Sequence, residues 1–295
     1  MANLKEVRTR ISSVSSTQQI TSAMKMVSAA KFRRAQNAII GMRPYANRMN
    51  EISSSIGIDD HIQSPYQVER KPLQITLVVV TSNKGLCGAF NSNVIKLANQ
   101  RISHYRKITG NGGEITILSI GKKASEFFSK QSGVTVEVMD DLLDGTTFDK
   151  VASLADTLMT RFSKKETDLI EVIYNQFKNS LSQTLSCEQF LPVVPQAVTN
   201  LNNKKTKQDI HYLYEPSKAQ MLQELIPLTL RSSLYRIILD SLAAEHGARM
   251  TAMQKATDNA TELLKDLRLS YNKARQAAIT NEIIEIVSGS EALKG

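Results

Sequence analysis

Residues 248–289 read ARMTAMQKATDNATELLKDLRLSYNKARQAAITNEIIEIVSG, and this stretch decides the fold through the spacing of its apolar and small residues. They recur every three or four positions, which places them along one side of an α-helix. The stripe is narrow, as in the seam of a coiled coil. The predicted seam positions are Met253, Ala256, Ala260, Leu263, Leu267, Ser270, Ala274, Ala277, Asn281 and Ile284.

The helix that carries this seam is predicted to be much longer than the quoted stretch. Ser217 and Gln220 have the spacing of a capping box, which satisfies the first amides of a helix. Residues 228–288 contain no proline. Gly289 is a plausible stop because glycine favours helix C-termini. We therefore expect a C-terminal helix over residues 217–289.

A second long helical pattern lies at the other end of the chain, over residues 1–56. Its apolar stripe comprises Leu4, Val7, Ile11 and Val14, then Ile20, Met24 and Val27 after a skip, then Met42, Tyr45, Met49, Ile52 and Ile56. Pro44 removes a backbone hydrogen bond, so we expect a kink there. Each seam needs a long partner and the simplest partner is the other helix, although periodicity does not fix their relative orientation.

The centre of the chain has a different period. Residues 57–72 form a polar linker with glycine and proline, and residues 196–216 form a second polar segment. Between them, residues 73–195 begin with the apolar, β-branched run LQITLVVVT (73–81), which is typical of a buried parallel strand. Further strand and helix patterns alternate after it. This alternation predicts a Rossmann-like α/β domain with a mainly parallel sheet.

Motifs for catalysis or ligand binding are not recognisable. The turn Lys84-Gly85-Leu86-Cys87-Gly88 follows a strand, where phosphate loops lie, but it matches neither common phosphate-binding pattern. Tight turning is the better explanation of its glycines. Cys87 is better explained as a packed thiol than as a nucleophile. Asp140, Asp141 and Asp144 lack the spacing of a calcium loop. We expect no catalytic residue, cofactor or metal.

Positive charge is concentrated at the N-terminus. The chain has a net charge of +9, and residues 1–50 hold nine basic residues against one acidic residue. Such a segment can bind nucleic acid, anionic lipid or an acidic protein surface, or it can simply be a solvated helix face. The apolar runs are too short for a transmembrane helix, and the N-terminus lacks the apolar core of a signal peptide.

Five segments resemble one family, and they occur in the same order along the full chain. These are ITSAMKMVSAAK (20–31), TSNKGLCGAFN (81–91), YLYEP (212–216), ARMTAMQKATDNA (248–260) and YNKARQAAITNEIIEIVSG (271–289). Together they are similar to the gamma subunits of F-type ATP synthases. One departure is Ser290, where the family commonly has alanine after the glycine.

The resemblance implies a fold and a function. The terminal helices would form a long antiparallel, left-handed coiled coil that stands in the alpha–beta catalytic hexamer. The α/β domain would lie near the membrane beside the epsilon subunit, with a foot on the c-ring. Proton flow would turn the ring and the shaft, and the shaft would drive the catalytic sites. The resemblance implies a non-catalytic subunit that binds no nucleic acid. It also implies a peripheral location at the cytoplasmic face of a bacterial inner membrane, with membrane contact only through the complex.

The resemblance also implies partner-binding residues. Contacts with the hexamer are implied for Met24, Lys25, Lys31, Arg33, Arg34, Arg249, Gln276, Thr280, Glu282 and Glu285, and contacts with the c-ring for the foot residues Tyr212 and Glu215.

Two alternative functions remain open from the residues alone. One is a basic coiled-coil protein that binds nucleic acid, and the other is an α/β enzyme with helical arms. Few aromatic residues are present to stack on bases, which weakens the first alternative.

Overall fold

The computed structural model describes residues 4–56, 65–110, 113–179, 182–193 and 218–292. The chain divides into two compact units. The first combines Met1–Ala30 with Arg249–Gly295, and the second is Lys31–Ala248. We call them the coiled-coil unit and the α/β unit.

The two terminal helices contribute to both units. Helix α1 is Leu4–Ile56 and helix α5 is Lys218–Ala292. Proline lies inside both, at Pro44 in α1 and at Pro227 in α5. The predicted stop at Gly289 is wrong, since α5 continues past it: glycine lowers helix propensity but does not forbid a helix.

The seam of α1 follows the prediction for its first turns and then departs from it. Val7 is buried, but Ile20 and Val27 are each 58% exposed, so their assignment to the seam is wrong. Ile20 follows Val14 by six positions, and a step of that length leaves the inner side of the helix. The inner side continues instead through polar residues at the right spacing, including Gln18, Thr21 and Ser28.

The seam of α5 shows a shift of one residue. Leu264 is 6% exposed whereas Leu263 is 42% exposed, so the prediction of Leu263 as a seam residue is wrong. Some of the seam positions predicted after it are wrong as well. The observed inner positions are Met253, Ala256, Thr257, Ala260, Leu264, Leu267, Tyr271, Ala274 and Ala278. Predicted seam residues found exposed are Leu263, Ser270, Ala277, Asn281 and Ile284. A step of four instead of three between Ala260 and the next leucine causes the difference.

The α/β unit contains a five-stranded sheet in the order β3-β2-β1-β4-β5. The strands are β1 (Gln74–Val80), β2 (Glu114–Ile120), β3 (Thr135–Val138), β4 (Leu169–Phe177) and β5 (Gln183–Leu191). The helices of this domain are α2 (Phe90–Thr109), α3 (Lys122–Phe128) and α4 (Phe148–Ser163), with a 3-10 turn at Asp140–Leu143. The first four strands are parallel and β5 is antiparallel to β4, which confirms the mainly parallel sheet.

Helices cover both faces of the sheet. One core joins residues of the sheet to α2 and α3, including Val94, Ala98, Ala124 and Phe128. The other joins the opposite face to α4 and to α5, including Leu158, Leu234 and Ile238. Part of α5 is therefore a helix of the α/β sandwich. The expectation that the two terminal helices need only each other is incomplete for this part of α5.

Candidate partner-binding surfaces

The coiled-coil unit is held by a polar layer between α1 and α5. Gln18 Nε2 donates a hydrogen bond to Thr261 Oγ1 at 2.7 Å, and the hydroxyls of Thr21 and Thr257 lie 2.9 Å apart. A step of three residues forward on α1 matches a step of four residues backward on α5, so the two helices run antiparallel. This settles the orientation that the periodicity left open.

Two of the predicted hexamer contacts lie beside this layer. Met24 and Lys25 are both half-buried within the coiled-coil unit. Met24 also accepts a hydrogen bond at its backbone oxygen from Ser28 Oγ at 2.7 Å. Only part of each side chain is thus available to a partner, and the solvent-facing part is set by the pairing of α1 with α5.

The predicted basic contacts are grouped on α1 within the α/β unit. Lys31, Arg33 and Arg34 are all exposed, so their charges face solvent. Nearby on the same helix, Ala35 and Ile39 pack against Leu239 and Ala243 of α5. The apolar side of α1 is therefore turned towards α5 here, which leaves the basic residues accessible.

The predicted contacts near the C-terminus lie on a part of α5 whose side chains are mostly exposed. Gln276, Thr280, Glu282 and Glu285 are exposed. Thr280 Oγ1 donates to the Gln276 backbone oxygen at 2.9 Å, a bond within the helix that leaves the Gln276 side chain available. The α1 helix begins at Leu4, so its partner residues on α5 run out near this point.

Large apolar residues in the same part of α5 were not predicted as contacts. Ile279, Ile283, Ile284, Ile286 and Val287 are each between 48% and 71% exposed. They occupy several sides of the helix rather than one stripe. The signal in the sequence was the run Ile-Ile-Glu-Ile-Val (283–287), which is too apolar for a solvated helix end.

Two further groups of predicted residues differ from this pattern. Arg249 is 7% exposed and has interactions within the chain, so its burial favours a role in local structure over direct contact with a partner. Tyr212 and Glu215, the predicted foot, lie outside the described residues.

The place where doubly wound sheets bind ligands is filled by protein in the α/β unit. Ligands bind such sheets outside the carboxyl ends of the strands where the strand order reverses, here between β1 and β4. Cys87 and Phe90, which follow β1, pack against Ala244 of α5, and Phe177 at the end of β4 joins the same cluster. The turn after β1 thus packs on α5, as the interpretation of Cys87 as a packed thiol expects.

An ion pair between α2 and β4 lies beside the second cysteine, Cys187, and affects the pKa of its thiol. Arg101 Nε donates to Glu171 Oε2 at 2.8 Å, and the Cys187 thiol donates to the same oxygen at 3.4 Å. Burial, followed by the negative charge of Glu171, raises the pKa of Cys187 to about 12. The thiol therefore stays protonated near neutral pH and is a poor nucleophile.

The described residues contain neither a metal-binding cluster nor a membrane-spanning helix. Within the described ranges, no cluster of three or more His, Cys, Asp or Glu side chains is placed to hold a metal ion. In the same part of the chain, no helix combines the length and the apolar character needed to cross a membrane.

Comparison with known proteins gives a consistent result. Residues 3–293 match the family model described as ATP synthase. The chain is 50% identical over 297 residues to the ATP synthase gamma chain of Flavobacterium johnsoniae, covering 100% of both chains. It is also 50% identical over 297 residues to the ATP synthase gamma chain of Flavobacterium psychrophilum, again covering 100% of both chains.

Among solved structures, a chain of the Euglena gracilis mitochondrial ATP synthase, from a structure of its OSCP/F1/c-ring, has a similar fold. The TM-score is 0.66 at 20% identity, covering 98% of this chain and 94% of that one. At this identity the likeness shows the fold alone, and it confirms the combination of terminal helices with a central α/β domain.

Proposed function

Because this chain belongs to the ATP synthase gamma chain family and is thus a subunit of that complex, we propose that it is the central-stalk rotor. In this role the chain turns with the c-ring as protons flow and drives the alpha–beta hexamer through its catalytic states. It carries no catalytic residue and holds no nucleotide. Its partners are the alpha, beta and epsilon subunits and the c-ring.

The observation that carries this proposal is the exposed end of α5. All side chains over residues 279–290 are exposed, and five of them are large and apolar. An apolar patch of this kind marks an interaction site. Because these residues face several directions, a partner that surrounds the helix fits better than one that touches a single side. The central bore of the hexamer provides such surroundings.

Charge on α1 supports the same assembly. Lys31, Arg33 and Arg34 are exposed and lie on one short segment of the helix. Positive charge steers association with an acidic surface and fixes its register. We assign these three residues, with Met24, Lys25, Gln276, Thr280, Glu282 and Glu285, to contact with the hexamer. Tyr212 and Glu215 are assigned to the c-ring, and Arg249 to support of the coiled-coil unit.

The filled crevice of the sheet supports a non-catalytic role. Cys87 and Phe90 lie against Ala244 at the position where related sheets bind nucleotides, so α5 takes the place of a ligand. The described helices do not cross a membrane, and contact with the membrane through the c-ring agrees with that finding. We place the chain as a peripheral subunit at the cytoplasmic face of a bacterial inner membrane.

Reconstitution tests this function. Alpha and beta subunits of the same organism are purified, and their steady-state ATP hydrolysis is measured with and without this chain. We expect low activity without it and a strong increase when a stoichiometric complex forms. A chain that neither joins the complex nor changes the rate would overturn the proposal, and nucleic-acid binding would then be tested by heparin retention against salt.

A further inference from the structure

A polar network joins α5 to the sheet inside the α/β unit. Arg236 Nη2 on α5 donates to Glu188 Oε2 on β5 at 2.7 Å, and Arg236 Nη1 donates to the hydroxyl of Tyr174 on β4 at 3.4 Å. The Tyr174 hydroxyl in turn donates to Glu188 Oε1. Three side chains from three elements thus bond one another in a closed triangle, which we call the Arg236 network.

The surroundings of Tyr174 and Arg236 keep each of these two side chains in one protonation state. Tyr174 is fully buried, and burial raises its pKa, so the phenol stays neutral. Burial is the largest single influence on Arg236 and disfavours its charge, but Glu188 and Tyr174 together outweigh burial and raise the pKa of Arg236. Asp240, one turn further along α5, lies 3.5 Å from Arg236. A guanidinium held by such partners has a fixed direction as well as a fixed charge.

A second ion pair anchors the same helix to a different element. Arg231 Nε donates to Asp156 Oδ1 on α4 at 2.7 Å. Arg231 and Arg236 are five residues apart on α5, so the two pairs hold the helix at two heights and towards two neighbours. The Arg231 pair restrains α5 relative to α4, and the Arg236 network restrains it relative to the sheet.

Apolar packing alone would not give this control. Leu234 and Ile238 bury α5 against the sheet between and beside the two arginines. Burial of apolar area is favourable but has no direction, so it specifies the rotation of a helix on a sheet less sharply than directional bonds do. A charged hydrogen-bonded network is directional, and fixing register is the best-attested use of polar groups packed between elements.

We propose, resting on the rotor function above, that the Arg236 network fixes the rotational position of α5 on the sheet, so that torque passes between the α/β domain and the shaft without slip. Arg236 acts here as a positioning residue and touches no reacting atom. The pair of Arg231 with Asp156 acts as the supporting anchor. The sheet and α5 then turn as one body under load.

The test uses the complete ATP synthase of the source organism, carrying this chain, in inverted membrane vesicles. Two rates are measured on each preparation: ATP hydrolysis, and proton pumping followed by the quenching of a pH-sensitive dye. Arg236→Met keeps the length and apolar stem of the side chain but removes the charge. We expect hydrolysis to persist and the ratio of pumping to hydrolysis to fall to about half or less, since the network acts as a unit.

The matched control is Arg161→Met. Arg161 Nη1 contacts both oxygens of Glu137 at 2.8 Å, and the exposure of this pair resembles that of Arg236 with Glu188. This ion pair joins α4 to β3, whereas the Arg236 network joins α5 to the sheet. We expect the control to keep the wild-type ratio, and Arg236→Lys to restore part of what methionine loses.

The outcomes separate this proposal from the function beneath it. A ratio for Arg236→Met equal to that of Arg161→Met would overturn the proposal. If Arg236→Met does not assemble, Glu188→Gln removes the same ion pair while keeping side-chain size, and an unchanged ratio there would overturn it equally. If the wild-type chain itself supported no hydrolysis and no pumping, the rotor function would fail instead.

Discussion

Gln18 on α1 donates a hydrogen bond from Nε2 to Thr261 Oγ1 on α5 at 2.7 Å, at the solvent-exposed margin of the helix pair. One turn further, Thr21 and Thr257 repeat the arrangement with hydroxyls 2.9 Å apart. A polar layer lowers the strength of a helix pair but fixes its register. These bonds therefore add a fixed register to the apolar packing of Met253, Ala260 and Leu264.

We predict that Thr21 and Thr257 are energetically coupled. Thr21→Val should cost about 1 kcal/mol of unfolding free energy, because Thr257 loses its cross-helix partner. Changing both residues to valine should cost less than the two single changes together, since either single change already removes their shared cross-helix bond. Urea unfolding followed by circular dichroism measures all four members of the cycle. Thr9→Val is the control, because Thr9 bonds only to the backbone of its own helix. Strict additivity would contradict the prediction.

We predict that adjacent leucines in α5 respond very differently to truncation. Leu264→Ala should cost about 2–4 kcal/mol of unfolding free energy because the side chain is buried. Leu263→Ala should cost less than about 1 kcal/mol because that side chain is 42% exposed. The same urea unfolding experiment compares them. Equal losses would contradict the prediction, and a larger loss at Leu263 would show that the seam has the register that the spacing alone suggested.

We predict that the Cys187 thiol resists alkylation at moderately alkaline pH. Burial and Glu171 raise its pKa from about 9 to about 12, so little thiolate forms below that range. The pH dependence of iodoacetamide labelling, followed by mass spectrometry, measures this. Half-maximal labelling near pH 9 would contradict the shift.

The same pKa shift affects stability in a defined direction. The folded chain holds the neutral thiol, whereas the unfolded chain ionises near pH 9. The contribution of Cys187 is therefore fully present below pH 9 and is lost as pH rises from about 9 to about 12. Glu171→Gln removes one cause of the shift, so labelling of Cys187 in that variant should begin at lower pH.

We predict that the basic segment of α1 assists assembly with the hexamer. The double change Arg33→Glu and Arg34→Glu should reduce recovery of the complex, most strongly at low salt, where charge is least screened. Gel filtration of mixtures with alpha and beta subunits measures recovery. The control is Lys122→Glu with Lys130→Glu, which makes the same change in net charge at two exposed positions, one at the start of α3 and one just after its end. Equal recovery of both double variants at low and at raised salt would contradict a local role for Arg33 and Arg34.

Much of the fold could be predicted because its signals are local. The run over residues 73–81 showed a buried strand, and β1 lies within it at Gln74–Val80. Strand β5 was missed because its sequence, QTLSCEQFL, is half polar and lies at a sheet edge with mixed burial. The choice between Leu263 and Leu264 could not be made from spacing, since both fit a step of three or four. Only the partner helix decides it.

The candidate contacts were less predictable than the fold. Lys31, Arg33 and Arg34 are exposed, as expected for a basic surface. Arg249 is buried, which position within a motif cannot show. The Arg236 network could not be found from the sequence, because its residues lie on three elements and join only when α5 packs on the sheet. Their roles with partners stay predictions until the complex is tested.

Rotation of the chain itself tests the central claim most directly. Lys107→Cys places a reactive thiol on an exposed position of α2, whereas Cys87 is buried and Cys187 is held protonated, so a probe attaches selectively. The hexamer is fixed to a surface through its alpha or beta subunits, and the probe is followed in the microscope with ATP present. If the chain is the rotor, we expect sustained rotation of the probe in one direction. A probe that stays fixed, or moves without direction, while the complex hydrolyses ATP would contradict it.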